Sequence, residues 1–101
     1  MLDREFFLGF IKIHILYHAA QEPIFGVEIA SELSQHGYYV SPGTLYPTLH
    51  RLEEEGYLRS SSKVVNGRVR KYYQATGKGR LVLNESRQKI RELVNEVLKE
   101  T

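Results

Sequence analysis

The fold of this chain can be inferred outward from one stretch, SPGTLYPTLHRLEEEGYL, which runs from Ser41 to Leu58. Leu45, Leu49 and Leu52 repeat at i, i+4 and i+7, a spacing that places them on one face of a helix. Ser41 before a proline is typical of a helix start, because serine can cap free backbone amides and proline has no amide to lose. Gly56 is expected to end the helix. We therefore predict a helix over 41–56 that packs inward through its leucines.

The remaining surface of this helix is polar and could read DNA. The residues expected to point away from the leucines are Thr44, Tyr46, Thr48, His50 and Arg51. Only one of them carries a formal positive charge, so this face would contact base edges through hydrogen bonds and methyl groups. The helix N-terminus, 41–44, has small side chains and free amides that suit a phosphate. Tyr46 could instead only pack on a neighbouring helix, and Pro47 is expected to shape the first turns, where its missing amide costs little.

Two strands are predicted after the helix, at 57–65 and 68–75, joined by Asn66-Gly67. Both turn residues tolerate the positive φ of a type I′ turn, which makes this dipeptide a strong hairpin signal. A two-residue turn pairs Lys63 with Arg70 on one face of the hairpin. Two cations opposite each other are unfavourable in isolation, so the pairing indicates that an anion lies between them.

Positive charge is concentrated in the same region. Residues 59–80 hold seven basic and no acidic residues, whereas residues 1–58 hold three basic and eight acidic ones. The net charge of +2 over the whole chain conceals this separation. A localised basic segment favours a polyanionic partner. The alternative is a solvated hairpin that keeps the protein soluble.

A first helix is predicted over about 3–20, and it is apolar on nearly every face. One domain of this size can cover only one side of such a helix. A second surface, most simply another subunit, is therefore expected to cover the rest.

A second, short helix is predicted over 26–35, after a turn at 21–25 that contains Pro23. Gly37 is expected to cap its end, and residues 38–40 to form an extended link. The side chains expected to point inward are Val27, Ile29, Ala30 and Leu33.

The last helix is predicted from Gly77 to the C-terminus, with Thr76 as its cap. A helix of about 25 residues is about 37 Å long, more than this small core can cover. Its apolar seam has a heptad-like spacing and needs a partner. With the first helix, the predicted dimer interface consists of Phe6, Phe7, Phe10, Leu83, Ile90, Val94 and Val97.

The element order predicts a mainly α fold with a β-hairpin wing, in the α+β class. We interpret it as a winged helix-turn-helix over 1–76, whose N-terminal helix also makes dimer contacts, followed by a dimerisation helix over 77–101. The chain has no cysteine, which excludes disulfides, zinc–thiolate sites and a thiol nucleophile. It shows no signal peptide and no apolar run that could span a bilayer, so we expect a cytoplasmic protein that does not enter a membrane.

Neither catalysis nor a metal site is expected. Ser41 and His50 lie on one short helix with no oxyanion arrangement, so we predict that the protein is not an enzyme. His14 and His18 are spaced i, i+4 and could share a metal ion, but the sequence shows no evident third ligand. We interpret this pair as part of a helix face at a subunit interface, and we expect no cofactor.

The central stretch, 41–58, resembles the PadR family of bacterial transcriptional regulators. Residues 23–29, PIFGVEI, are similar to the family's approach to its second helix, with Val27 where tyrosine is common. Residues 67–79, GRVRKYYQATGKG, are similar to its wing and exit, with Ala75 where a larger aliphatic residue is usual. The resemblance implies a dimeric winged-helix DNA binder, usually a repressor that an effector releases.

The chain length resembles the short branch of that family, whose single C-terminal helix is the dimer arm. Some members of that branch hold flat aromatic drugs between subunits with a tryptophan on that last helix, and this chain has no tryptophan. Phe6, Phe7, Phe10 and Tyr17 could line such a pore instead, or form plain interface core, which we favour.

We therefore predict a homodimeric, sequence-specific transcriptional regulator, most simply a repressor, that binds a near-palindromic operator in double-stranded DNA. Helix 41–56 would enter the major groove, and the wing, 57–75, would contact the backbone or minor groove. The alternatives are a winged-helix protein-interaction module and a sensor that binds a small hydrophobic effector at the dimer interface. The expected DNA-contacting residues are Ser41, Pro42, Gly43, Thr44, Tyr46, Thr48, His50, Arg51, Lys63, Arg68, Arg70 and Lys71.

Overall fold

Four helices and a three-stranded antiparallel sheet make up most of the computed structural model, which describes residues 4–99. Their order is α1 (Arg4–Gln21), β1 (Ile24–Phe25), α2 (Gly26–Gln35), α3 (Pro42–Glu54), β2 (Leu58–Val65), β3 (Arg68–Ala75) and α4 (Gly77–Val97). Asp3, the predicted start of the first helix, lies outside the described residues. No helix within residues 4–99 is both long enough and apolar enough to cross a membrane.

The predicted hairpin is confirmed, including its register. Lys63 lies opposite Arg70, and the two strands are joined by Asn66 and Gly67 with φ of 52° and 76°. Both values lie in the left-handed region that a type I′ turn requires. The register follows from the turn, because a two-residue loop leaves only one way to pair the flanking residues.

β1 is a strand that sequence analysis missed. Residues 21–25 were predicted to form a turn, but Ile24 and Phe25 pair with Tyr73 and Tyr72 of β3 and give the sheet order β1-β3-β2. Two residues are too few to show the alternation that identifies a strand. Their extended conformation depends on β3, which lies almost fifty residues further along the chain.

Helix α2 ends at the predicted glycine. Gly37 has a φ of 84°, and the Tyr38 amide donates to the Leu33 carbonyl at 3.0 Å, which is the Schellman arrangement. Helix α3 ends in the same way at Gly56. These two ends determine the lengths of both helices of the helix-turn-helix.

The start of α3 differs from the expectation in two details. Ser41 is the N-cap residue, but its hydroxyl donates to Thr44 Oγ1 at 3.4 Å and does not cap a backbone amide. Pro47 lies inside the helix, beyond its first turn. There it has no amide to donate to the Gly43 carbonyl, so the helix lacks one of its regular hydrogen bonds.

The core is formed by the inner faces of α1, α2 and α3, the sheet, and the first turns of α4. Its most completely buried large side chains are Tyr73, Ile15, Ile29, Leu33, Leu49 and Leu58. Leu45, Leu49 and Leu52 are all buried, as their spacing predicts. Val27 was expected inside but is 68% exposed, because it lies on the α2 face that turns towards the wing.

Leu83 corrects the predicted dimer interface. It was expected on the α4 seam, but it is only 4% exposed and belongs to the core of its own chain. The reason is that α4 packs against α1 over its first turns and leaves the core only afterwards. From Asn84 to its end at Val97, none of the residues of α4 is buried. This part of α4 helps to give the described residues an elongated shape of 58 × 29 × 21 Å.

Gly79→Ala is expected to destabilise the fold by at least about 1–3 kcal/mol, the usual cost of overpacking a core. A Cβ at this position would collide with the Tyr57 carbonyl oxygen, which is rigid backbone. Gly77→Ala is the control, since a Cβ there meets nothing within 4 Å. Urea unfolding of both variants measures the difference, and equal midpoints would contradict the tight contact between α4 and the turn before β2.

Candidate nucleic-acid interface

The exposed face of α3 lies opposite its leucines. Gly43, Pro47 and His50 are all exposed and are spaced i, i+4 and i+7, like the buried leucine stripe on the other side. Pro47 was not among the predicted contact residues. A helical projection of the sequence places Pro47 in the middle of this face, so its exposed position could have been predicted from the spacing.

Thr48 lies on a different side of α3 from the one expected. It is only 7% exposed, and its hydroxyl donates to the Thr44 carbonyl at 2.7 Å. This buried position leaves Thr48 unable to reach a base edge and corrects the prediction. Thr44 is half-buried beside it and accepts a hydrogen bond from Arg4 Nη2 at 2.8 Å.

Arg51 lies on this same side of α3. It lines a shallow groove between α3 and α1, together with Arg4, Lys12 and Thr44. This groove therefore adds two cations of α1 to the single one that sequence analysis found on the helix. Arg4 and Lys12 are far from Arg51 along the chain, so the helical spacing around Arg51 could not show that they lie beside it.

The other side of α3 faces the wing across a groove of about 530 Å³. Tyr46 and His50 line it from α3, and Arg68, Arg70 and Lys71 line it from β3. The other lining residues come from β1, the start of α2 and β3, and are Phe25, Gly26, Val27, Val69 and Tyr73. The structure thus brings together two predicted helix residues and three predicted wing residues.

The sequence left open whether Tyr46 contacts DNA or only packs on a neighbouring helix, and its position is compatible with both. Its ring packs on Gly26 at the start of α2, where an added Cβ would lie 2.7 Å from the phenol oxygen. The side chain nevertheless remains 40% exposed in the groove. A glycine at the start of α2 is what allows the ring to lie so close to that helix.

Two cations of the wing lie over aromatic rings. The Arg70 guanidinium is 4.6 Å from the Phe25 ring centroid, and Lys63 Nζ is 5.2 Å from that of Tyr72. Each ring attracts its cation and orients it. Phe25 belongs to β1, so this role could not be read from the hairpin alone.

Lys71 differs from the other wing cations because it has an acidic partner. Its Nζ lies 3.5 Å from Glu53 Oε1, and the Ser60 hydroxyl donates to the second oxygen of the same carboxylate at 2.5 Å. The Ser60 hydrogen bond, with a further contribution from Lys71, lowers the pKa of Glu53, so this carboxylate stays ionised at neutral pH. Lys71 was expected to be free for phosphate, and the pairing reduces its contribution.

A second exposed surface is apolar and lies away from this groove. The outward residues of α1 include Phe6, Phe7, Phe10 and Tyr17, and those of α4 include Ile90, Leu93, Val94, Val97 and Leu98. Large apolar side chains in such number are unusual on the surface of a monomer. Leu93 and Leu98 were not among the predicted interface residues but lie on the same surface of α4.

The chain is similar in sequence to known regulators. A family model described as the transcriptional regulator PadR-like family matches residues 15–85. The transcriptional regulator Rv3488 of Mycobacterium tuberculosis is 54% identical to this chain over 95 residues, which cover 94% of this chain and 89% of that protein.

Solved structures show the same architecture. A PadR-like transcriptional regulator from Bacillus cereus matches with a TM-score of 0.80 and 33% identity, over 96% of this chain and 99% of that one. A PadR family transcription regulator from Clostridium difficile matches with a TM-score of 0.77 and 27% identity, over 89% of this chain and 99% of that one. The winged-helix fold class predicted from the sequence is thereby confirmed.

Proposed function

Because this chain belongs to the PadR-like family of transcriptional regulators, we propose that it is a homodimeric repressor that binds a near-palindromic operator and is released by an effector. Regulators of this family bind DNA, and the family is not one of enzymes.

The observation that carries the proposal is the groove that α3 shares with the wing. Tyr46 and His50 of the helix and Arg68 and Arg70 of the wing line the same groove. A duplex whose major groove receives α3 therefore brings its phosphate backbone towards the wing cations. This is the arrangement that separates base reading from charge neutralisation in winged-helix proteins.

We assign base reading to the exposed face of α3. His50 can donate or accept a hydrogen bond at a base edge, and Pro47 offers an apolar contact beside it. The α3 N-terminus is exposed at Ser41, Pro42 and Gly43. The amides of Ser41 and Gly43 can therefore bind a phosphate, whereas Pro42 has no amide to offer. Phosphate contacts of the wing are assigned to Lys63, Arg68 and Arg70.

The dimer follows from the apolar surfaces of α1 and α4. Val97 of α4 is 63% exposed and Phe6 of α1 is 46% exposed in the single chain, and association would remove both from water. A twofold dimer presents two α3 helices, so the operator half-sites should lie about 34–36 Å apart or a multiple of this distance. The domain division at residue 76 belongs to the same proposal, with α4 beyond Leu83 as the dimer arm.

The effector is proposed to be a small hydrophobic molecule that binds where the subunits meet. Four aromatic rings of α1, those of Phe6, Phe7, Phe10 and Tyr17, are exposed there. Selection of operator DNA from a random pool, with and without small-molecule extract of the host, tests both operator and effector. If the selected sequences share no palindrome, the result would contradict the proposal of an operator-binding repressor and favour the protein-interaction module.

His50→Ala is expected to lose operator preference while keeping its affinity for random DNA. A lost base contact costs about 1–3 kcal/mol, or roughly 5- to 150-fold in operator affinity per half-site. Asn95→Ala is the control, because Asn95 is exposed on α4, far from α3 along the chain. Affinities for the operator and a scrambled duplex are measured for both variants. Equal losses on the two duplexes would contradict base reading by His50.

A further inference from the structure

Three of the four histidines of this chain meet at one place, away from the wing and its groove. His14 and His18 lie one turn apart on α1, and His36 is the C-cap residue of α2. One ring nitrogen of each lies within 4.8 Å of the others. The His14 and His36 rings stack with their centroids 4.5 Å apart.

This arrangement supplies the ligand that sequence analysis did not find. The i, i+4 pair on α1 offers two nitrogens on one helix face, and the fold adds the third from the end of α2. Two nitrogens bound to one tetrahedral zinc ion lie about 3.4 Å apart, given zinc–nitrogen distances of about 2.0–2.1 Å. The observed spacing of the nitrogens, up to 4.8 Å, is wider by an amount that rotation of the side chains can close, and His36 is exposed at the end of α2.

The charges around the cluster favour a cation. Glu32 Oε2 lies 3.8 Å from His18 Nε2 and adds a negative charge beside that ring.

We propose that His14, His18 and His36 form a binding site for one divalent transition-metal ion of the zinc type in each chain. Three imidazoles leave one coordination position open for water, as in zinc sites with three protein ligands. We assign Glu32 as a positioning residue, since a small side-chain movement would bring its carboxylate from 3.8 Å to hydrogen-bond distance of His18 Nε2. A carboxylate that accepts a hydrogen bond from a ligating imidazole holds the ring in place. The ion would tie the end of α2 to α1, directly before the link that leads to α3.

The site can be tested on the full, untagged chain without DNA. Zinc is titrated in a calorimeter, and Co²⁺ is added as a spectroscopic probe whose visible absorption reports nitrogen ligands in a tetrahedral field. We expect one ion per chain and a rise in the thermal midpoint of unfolding with zinc concentration, since a ligand of the folded state stabilises it. Failure to bind either metal ion would overturn the proposal.

The variants separate this site from adventitious binding. His36→Ala is expected to weaken zinc binding at least about 100-fold, and Glu32→Gln about 10-fold, the lower end of what loss of a supporting carboxylate costs. His36 is exposed at a helix end, so its loss leaves the fold intact, which circular dichroism verifies. His50→Ala is the matched control and should bind zinc as the original chain does. Zinc binding retained by the His14→Ala/His36→Ala double variant, or lost in His50→Ala, would refute the site.

Discussion

Glutamate at both Ile90 and Val94 is expected to convert the proposed dimer into monomers. In the single chain the two side chains are 39% and 45% exposed, so about half of each remains to be buried by a partner. Full burial of such a side chain contributes about 1.5–3 kcal/mol, which leaves roughly 1 kcal/mol for each of the four side chains in a dimer. The loss of about 4 kcal/mol weakens association roughly 1000-fold. Burial of unpaired carboxylates would add to this loss.

The assembly is measured by sedimentation or light scattering over a range of concentrations. Gln88→Glu with Asn95→Glu is the control, since it adds the same charge to the opposite side of α4, where both residues are exposed. Circular dichroism establishes whether the variant chain stays folded as a monomer or needs its partner to fold. An unchanged dimer mass for the Ile90/Val94 variant would remove the basis for the proposed interface.

Arg70→Ala is expected to weaken the binding of operator and random DNA alike and to flatten its dependence on salt. Each phosphate contact contributes about 0.9 to the slope of log affinity against log salt concentration. A dimer loses two contacts with one substitution, so the slope should fall in magnitude by about 1.8. The position of Arg70 over the Phe25 ring, at 4.6 Å, holds the guanidinium in place for this contact.

Two further variants make this test specific. Lys89→Ala, on α4, removes a cation that pairs with Glu92 and should leave the slope unchanged. Glu53→Gln releases Lys71 from its carboxylate partner and should make the slope steeper, because Lys71 then becomes available to phosphate. Slopes are measured with operator and scrambled duplex. If Arg70→Ala leaves the slope unchanged, the basic hairpin does not contact phosphates and is only solvated. That result would favour the alternative function, a winged-helix protein-interaction module.

Features of the candidate site that depend only on residues close together in the sequence could be predicted from the sequence. The exposed position of His50 follows from the leucine spacing on α3, and the pairing of Lys63 with Arg70 follows from Asn66-Gly67. The burial of Thr48 could not be predicted in this way. Helical spacing places it between the leucine face and the opposite face, and only the position of α1 determines that this side of α3 is covered.

Contacts between distant residues explain the remaining differences. Leu83 follows the same heptad-like spacing as Ile90, yet it is buried because α1 covers the first turns of α4 and not the later ones. The pairing of Lys71 with Glu53 joins β3 to α3, and no sequence pattern relates the two positions. Lys71 is therefore less available to phosphate than its place in the basic segment indicates.

By itself, the sequence determined the helix ends at Gly37 and Gly56, the hairpin register and the winged-helix order of elements. These depend on backbone conformations and side-chain periods within a few residues, so local physical chemistry is sufficient to predict them. Only the tertiary structure decided that Ile24 and Phe25 form a third strand and that His36 lies beside His14. Both depend on the packing of elements far apart in the chain, where a change in angle between two helices or strands would separate the same residues.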